Sequence, residues 1–200
     1  MPEISAGMKT ILKFLEPLFL LLCFAMNAPS ASEKFIFDFQ SPTNTAWQVV
    51  NDDVMGGVSS STFRITDGVA VFRGAVSLEN NGGFASVRSL PAQYDLRDAD
   101  SFVIRVRGDG RRYKFTARMD RSFDSAIYQC TFTTRNGEWT EQRLPMKDFV
   151  ASFRGRMLAD EPALNPARLT SVGFLISDKQ AGAFQLEIAW IKASGSLEKK

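Results

Sequence analysis

Apolar side chains recur at every second position through most of the chain after residue 34. Phe102, Ile104 and Val106 alternate with Val103, Arg105 and Arg107. Tyr113, Phe115, Ala117 and Met119 alternate with Arg112, Lys114, Thr116 and Arg118, and Phe184, Leu186, Ile188 and Trp190 with Gln185, Glu187 and Ala189. A period of two sends neighbouring side chains to opposite faces, so each run predicts a strand with one buried face. Shorter runs at 35–39, 47–50, 61–65, 69–76, 84–89, 126–132, 139–144 and 172–176 predict further strands. Thr66-Asp67-Gly68 and Gly108-Asp109-Gly110 read as hairpin turns, and Asn136-Gly137 and 178–182 as further turns. Residues 145–149 form one short helical turn, and 153–166 a long Pro-containing loop. No long amphipathic helix follows residue 35, and no sequence unit repeats at a fixed period. Strands about ten residues apart with turns between them predict an all-β jelly-roll or β-sandwich fold. One domain over 33–193 is expected, with a flexible tail at 194–200.

The first 31 residues break the pattern. Met8-Lys9-Thr10-Ile11-Leu12-Lys13 is a short basic stretch, residues 18–26 are continuously apolar, and Ala28-Pro29-Ser30-Ala31-Ser32 is small. That is the layout of a secretory signal peptide, so an exported protein, periplasmic or extracellular, is expected. The alternative is an uncleaved segment holding the chain to a membrane.

Composition narrows the chemistry. The 200 residues carry a formal net charge of +2 and no histidine. Ser-His-Asp and Cys-His catalysis and most zinc sites are thereby excluded. Charges of both signs are scattered, which speaks against a nucleic-acid partner. With the leader removed, Cys130 is the only cysteine. It shares a face with Ala126, Tyr128 and Phe132, the pattern of a buried, inert thiol.

Two stretches stand out: Asn51-Asp52-Asp53-Val54-Met55-Gly56-Gly57-Val58-Ser59 and Leu78-Glu79-Asn80-Asn81-Gly82-Gly83-Phe84-Ala85-Ser86. Both place acidic or amide side chains before a Gly-Gly pair. Such residues suit tight turns, and they equally suit two shaped loops at the rim of a sheet structure. Asn51, Asp52, Gly56, Gly57, Asn80, Asn81, Gly82, Gly83, Arg88 and Asp109 are the candidate interaction residues, and their structural role would be to hold the loops by side-chain to backbone bonds.

Other patterns have ordinary explanations beside them. Arg105, Arg107, Arg112, Lys114 and Arg118 form a basic row expected on one sheet face, either solvated or docking an acidic partner. Arg107-Gly108-Asp109 spells an adhesion tripeptide but serves a turn. Asp52, Asp53, Asn80, Asn81 and Asp178 lack ordered calcium-ligand spacing. Asp52 and Asp109 are a conceivable carboxylate pair for glycoside hydrolysis. Trp47, Trp139, Tyr94 and Tyr113 are stacking candidates for a glycan, or core residues.

Trp47 with Asn51-Asp52-Asp53-Val54-Met55-Gly56-Gly57-Val58-Ser59 resembles the signature of the complex I intermediate-associated protein 30 family. The likeness continues through Phe72-Arg73-Gly74, residues 78–88, residues 106–113, Trp139, Leu144-Pro145, Phe149, Arg154-Gly155, residues 173–179 and Gly182-Ala183-Phe184. It covers about residues 35 to 192. The resemblance implies a galactose-binding-like β-sandwich, no catalytic residues, no cofactor and a protein partner. It implies an assembly factor acting as a chaperone for respiratory complex I, in which case the partner is a membrane complex or its assembly intermediate. The mitochondrial members work on the matrix side, so an exported chain would lie across a membrane from that role. An exported carbohydrate-binding module is the alternative.

Overall fold

The computed structural model describes residues 32–41, 46–122 and 124–195. The expected leader therefore lies outside the described residues. Alternation produces strands where it predicts them: β1 (Ser32–Asp38), β2 (Trp47–Asn51), β3 (Ser60–Thr66), β4 (Val69–Val76), β5 (Ala85–Ser89), β6 (Ser101–Gly108), β7 (Arg112–Arg118), β8 (Ile127–Thr133) and β9 (Trp139–Pro145). β10 (Val150–Phe153) and the two-residue β11 (Arg156–Met157) follow, the latter inside the stretch expected to be loop. β12 (Ser171–Ile176) and β13 (Gly182–Gly195) complete the order. The helical turn expected after residue 145 is a 3-10 turn at Met146–Asp148.

Two antiparallel sheets stack face to face. The six-stranded sheet runs β3-β4-β13-β6-β9, with β1 also on β13; the seven-stranded sheet runs β11-β10-β8-β7-β12-β5-β2. β13 is long enough to take β4 along its first half and β1 along its second, while β6 lines its other side. It carries buried Ser194 and Gly195 into the stretch expected to be tail. Between the sheets lies an aromatic core that includes Phe72, Phe102, Phe115, Phe174 and Tyr113, all without solvent exposure. Phe115 meets Phe174 edge-on with ring centroids 5.4 Å apart, a preferred aromatic geometry. Cys130 is buried between Tyr128 and Phe132 as expected, and burial first, then Asp148, pushes its thiol pKa up, which disfavours the thiolate.

Two expectations about facing are corrected. Gly108-Asp109-Gly110 is no hairpin: β6 belongs to one sheet and β7 to the other, so the turn crosses the sandwich. The basic row is therefore split. Arg105 and Arg107 lie on the outer face of the six-stranded sheet, and Arg112, Lys114 and Arg118 on that of the seven-stranded sheet. Trp190 does not share a face with Ile188, because a bulge between them shifts the register. Ile191 takes the inward place, and Trp190 faces out against Phe35.

One end of the sandwich collects the sheet-to-sheet crossovers that matter below. Residues 52–59 carry the chain from β2 to β3, 77–84 from β4 to β5, 109–111 from β6 to β7, 134–138 from β8 to β9, and 177–181 from β12 to β13. The pairings Ala75 with Ser60, Val76 with Gly182, Asn51 with Ala85 and Arg112 with Thr133 bring these segments to one rim.

Candidate functional site

The rim is organised by Asp52. Its side chain has no solvent exposure. Oδ1 accepts the Ser59 N–H at 2.9 Å, and Oδ2 accepts the Ser59 hydroxyl at 2.5 Å, the Gly83 N–H at 2.7 Å and the Phe84 N–H at 3.2 Å. One carboxylate thus ties the first Gly-Gly loop to itself and to the second. Burial raises its pKa, but the hydrogen bonds from Ser59, Gly83 and Phe84 outweigh that and hold it below the usual aspartate value.

The glycines exist to make room for this group. A Cβ on Gly57 would lie 2.4 Å from the Asp52 carboxyl, and one on Gly82 2.6 Å from Oδ2. Gly56 serves a different need, closing the 3-10 turn Asp52–Met55 at φ 88° with its N–H on Asp53 O. Asn80 and Asn81 both sit at left-handed φ, 54° and 60°, which their side chains tolerate. Asn51 Oδ1 accepts the Ser61 hydroxyl at 2.6 Å and fixes the start of the first loop to β3.

Asp109 is a second node on the same rim. Oδ1 accepts the Arg111 N–H and the Tyr113 hydroxyl, 3.1 and 3.0 Å away, and Oδ2 accepts the Gln185 N–H at 3.1 Å. It binds the β6–β7 crossover to β13. Arg111 donates to the carbonyls of Gln180 and Ala181 and so binds that crossover to the next. Burial, and then the charge of Asp109, push the Tyr113 phenol upward in pKa, so it stays a neutral donor.

Arg88 does not join this rim. It lies on the outer face of the seven-stranded sheet, paired along β5 with Gln48 and Gly173. Nearby Arg118 is buried with its guanidinium on Ser125, and burial, followed by the charge of Arg88, lowers its pKa to about 10.

Several chemical expectations fail on geometry. Asp52 and Asp109 both spend their oxygens on internal donors, so these two do not form a carboxylate pair facing a substrate. Asp178 is held by Lys114 at 2.8 Å, and no group of three or more His, Cys, Asp or Glu side chains suits a metal ion among the described residues. In the adhesion-like tripeptide, Arg107 is ion-paired with Glu187 while Asp109 turns inward. The four proposed stacking aromatics are not bare. Tyr113 is core, Trp47 packs on Phe37, Phe39 and Phe63, and Tyr94 packs edge-on against Phe37. Trp139 lies under the guanidinium groups of Arg107 and Arg105, 4.9 and 5.8 Å from its ring centre.

What sequence reading missed is the apolar surface of the same loops. Val54, Met55, Val58 and Leu78 are 68%, 61%, 51% and 45% exposed on the pinned segments. Three apolar residues inside a polar turn stretch were the available signal. The exposed charges beside them, Asp53 and Glu79, are both acidic.

The architecture defines an all-β sandwich of two antiparallel sheets with these crossover loops gathered at one rim. Two solved family 11 carbohydrate-binding modules of Clostridium thermocellum superpose with TM-scores of 0.60 and 0.61 at 15% identity, over 85% of this chain and 98% and 99% of theirs. At that identity the likeness shows the fold. The model of the complex I intermediate-associated protein 30 (CIA30) family matches residues 37–188, and the chain belongs to that family. Its relatives include the mitochondrial complex I intermediate-associated protein 30 of Drosophila melanogaster, 29% identical over 78% of this chain and 61% of that protein. The Mus musculus protein of the same name is 30% identical over 72% of this chain and 51% of that protein. The chain thus spans about half to three fifths of the length of these curated relatives.

Those names overturn the localisation expected from the N-terminus. Relatives matched over most of the chain are mitochondrial, which conflicts with a periplasmic or extracellular protein. An apolar run with a basic start and small residues behind it is too generic to fix a destination against that finding.

Proposed function

We propose that this chain is a non-catalytic, chaperone-like binding domain that holds a protein partner, a complex I assembly intermediate, on its two-loop rim. The observation that carries the reading is the Asp52 node. A buried carboxylate with four internal hydrogen bonds fixes two loops whose outward side chains, Val54, Met55, Val58 and Leu78, are apolar and uncovered. A preorganised apolar patch loses little conformational freedom on docking, and exposed apolar clusters mark protein interfaces. Family membership supports the choice of partner, since the relatives are named for association with complex I intermediates. The chain has no histidine, and the two rim carboxylates weighed as a catalytic pair, Asp52 and Asp109, accept internal hydrogen bonds instead.

The test replaces Val54, Met55 and Val58 together with serine. The tagged protein is then recovered after crosslinking in cells and complex I subunits are identified in the adducts. The wild type should carry them, and the variant, folded to the same melting temperature, should lose most of them. Equal recovery from both would refute the rim as the docking site. A carbohydrate module is the competing reading, but it has only the fold behind it, because Tyr113 is core and Trp47, Tyr94 and Trp139 are part-buried with each ring packed against a neighbouring side chain.

A further inference from the structure

The outer face of the six-stranded sheet carries rows of side chains set by the register. Arg64, Val71, Glu187, Arg107 and Trp139 face outward in line across β3, β4, β13, β6 and β9. Thr62, Arg73 and Gln185 form the row beside it, and Trp190, Arg105 and Glu141 another. The acids among them are already engaged. Glu187 pairs with Arg107 and accepts from Gln185, Glu141 pairs with Arg105, and Glu33 at the far corner pairs with Lys192. Asp38, opposite Trp190, accepts the Gln40 N–H, and Arg143 at the edge pairs with Asp100. Arg64 and Arg73 are exposed and have no anionic partner among the described residues. Arg73 stands at a shallow groove of about 410 Å³ whose walls include Ser60, Thr62, Gly74 and Gln185. A Cβ on Gly74 would strike the Ser60 and Ser61 backbone, so this glycine lets β3 lie close to β4 beside the groove.

We infer that this face is a second binding surface, distinct from the loop rim, and that it takes an acidic, extended polypeptide segment. Carboxylates of the segment pair with Arg73 in the groove and with Arg64 beside it, where a guanidinium offers two parallel donors. The rest of the segment lies over the Arg107–Trp139 and Lys192–Trp190 stacks. Trp and Arg are the side chains that most often anchor protein interfaces. A single-stranded nucleic acid would stack its bases on bare aromatic faces. Here those faces are occupied, since Arg107 covers Trp139 and Lys192 lies 4.4 Å from the Trp190 ring centre and 4.7 Å from that of Phe35. Complementary charge, more than apolar area, selects the partner.

The test is fluorescence anisotropy with a labelled glutamate-rich peptide, a lysine-rich peptide of equal length and a single-stranded RNA, at low and physiological salt. The glutamate-rich peptide should bind, and its affinity should fall as salt rises. Reversal of both free arginines (R64E with R73E) should weaken it by about tenfold or more. Arg156→Glu, on β11 in the other sheet, should leave it unchanged, as should the Val54, Met55 and Val58 serine variant, so a failure here is separable from a failure at the rim. The inference is overturned if the acidic peptide does not bind at low salt, if R64E with R73E binds as well as wild type, or if the RNA binds more tightly than the peptide.

Discussion

Asp52 Oδ2 accepts the Gly83 N–H at 2.7 Å, joining residues 31 positions apart in the chain and making two loops one body. Asparagine at 52 has nearly the same shape but presents an NH₂ where one of the two oxygens now accepts. Ser59 N–H occupies one oxygen, and Gly83 N–H, Phe84 N–H and the Ser59 hydroxyl the other, so either placement of the amide sets donor against donor. Asp52→Asn should cost about 3 kcal/mol, the scale of buried donors left unsatisfied together with a lost charge-assisted bond. Urea unfolding at neutral pH measures it.

Gly57 and Asp52 should be coupled. Gly57→Ala forces a methyl group onto the Asp52 carboxyl, whereas Gly56→Ala meets no neighbour within 4 Å and is opposed only by its φ of 88°. The second change should cost about 1 kcal/mol and the first more. In an Asp52→Ala background the Gly57→Ala penalty should largely disappear, giving a coupling energy of about 1–3 kcal/mol in a double-mutant cycle. Additive costs would mean that the glycine is there for another reason.

The Asp52 node also sets a pH dependence. Its folded pKa lies below the ordinary aspartate value, so the unfolded chain binds the proton more readily. The stabilisation is complete above the unfolded pKa of about 4 and is lost as pH falls through the folded value. The urea midpoint of the wild type should fall between about pH 5 and pH 2 by more than that of Asp52→Asn, which has no proton to bind at this site. Parallel curves would contradict the assignment.

Much of this fold was legible because alternation is local. The strands at 69–76, 102–106 and 113–118 follow from which side chains avoid water, and Asp67-Gly68 makes the hairpin it predicts. Gly108-Asp109-Gly110 looked the same but crosses between sheets, because turn residues fix how the chain bends and not which strand it meets next. Trp190 was misplaced for a related reason: a bulge adds one residue and flips everything after it. At the rim, the sequence marked the two Gly-Gly loops. It could not show that Gly57 and Gly82 make room for one carboxylate, since Gly82 lies 30 positions from Asp52 and the two meet only in the folded chain.

The second node predicts a smaller loss. Tyr113→Phe removes the hydroxyl that donates to Asp109 at 3.0 Å and leaves the aromatic packing in place. It should cost about 1 kcal/mol. Asp109→Ala also leaves the Gln185 N–H and the Arg111 N–H without their acceptor, and should cost about 2 kcal/mol. Thermal unfolding of both variants checks the order.

The central claim is that the pinned loops touch the partner, and site-specific photo-crosslinking tests it most directly. A photoreactive side chain is placed at Met55 on the first loop, or at Val150 on β10, which is also exposed but lies away from the rim. Adducts are isolated from cells carrying complex I. Complex I assembly-intermediate subunits crosslinked from position 55 and not from position 150 are the predicted result; the same adducts from position 150 alone, or from both positions equally, would contradict it.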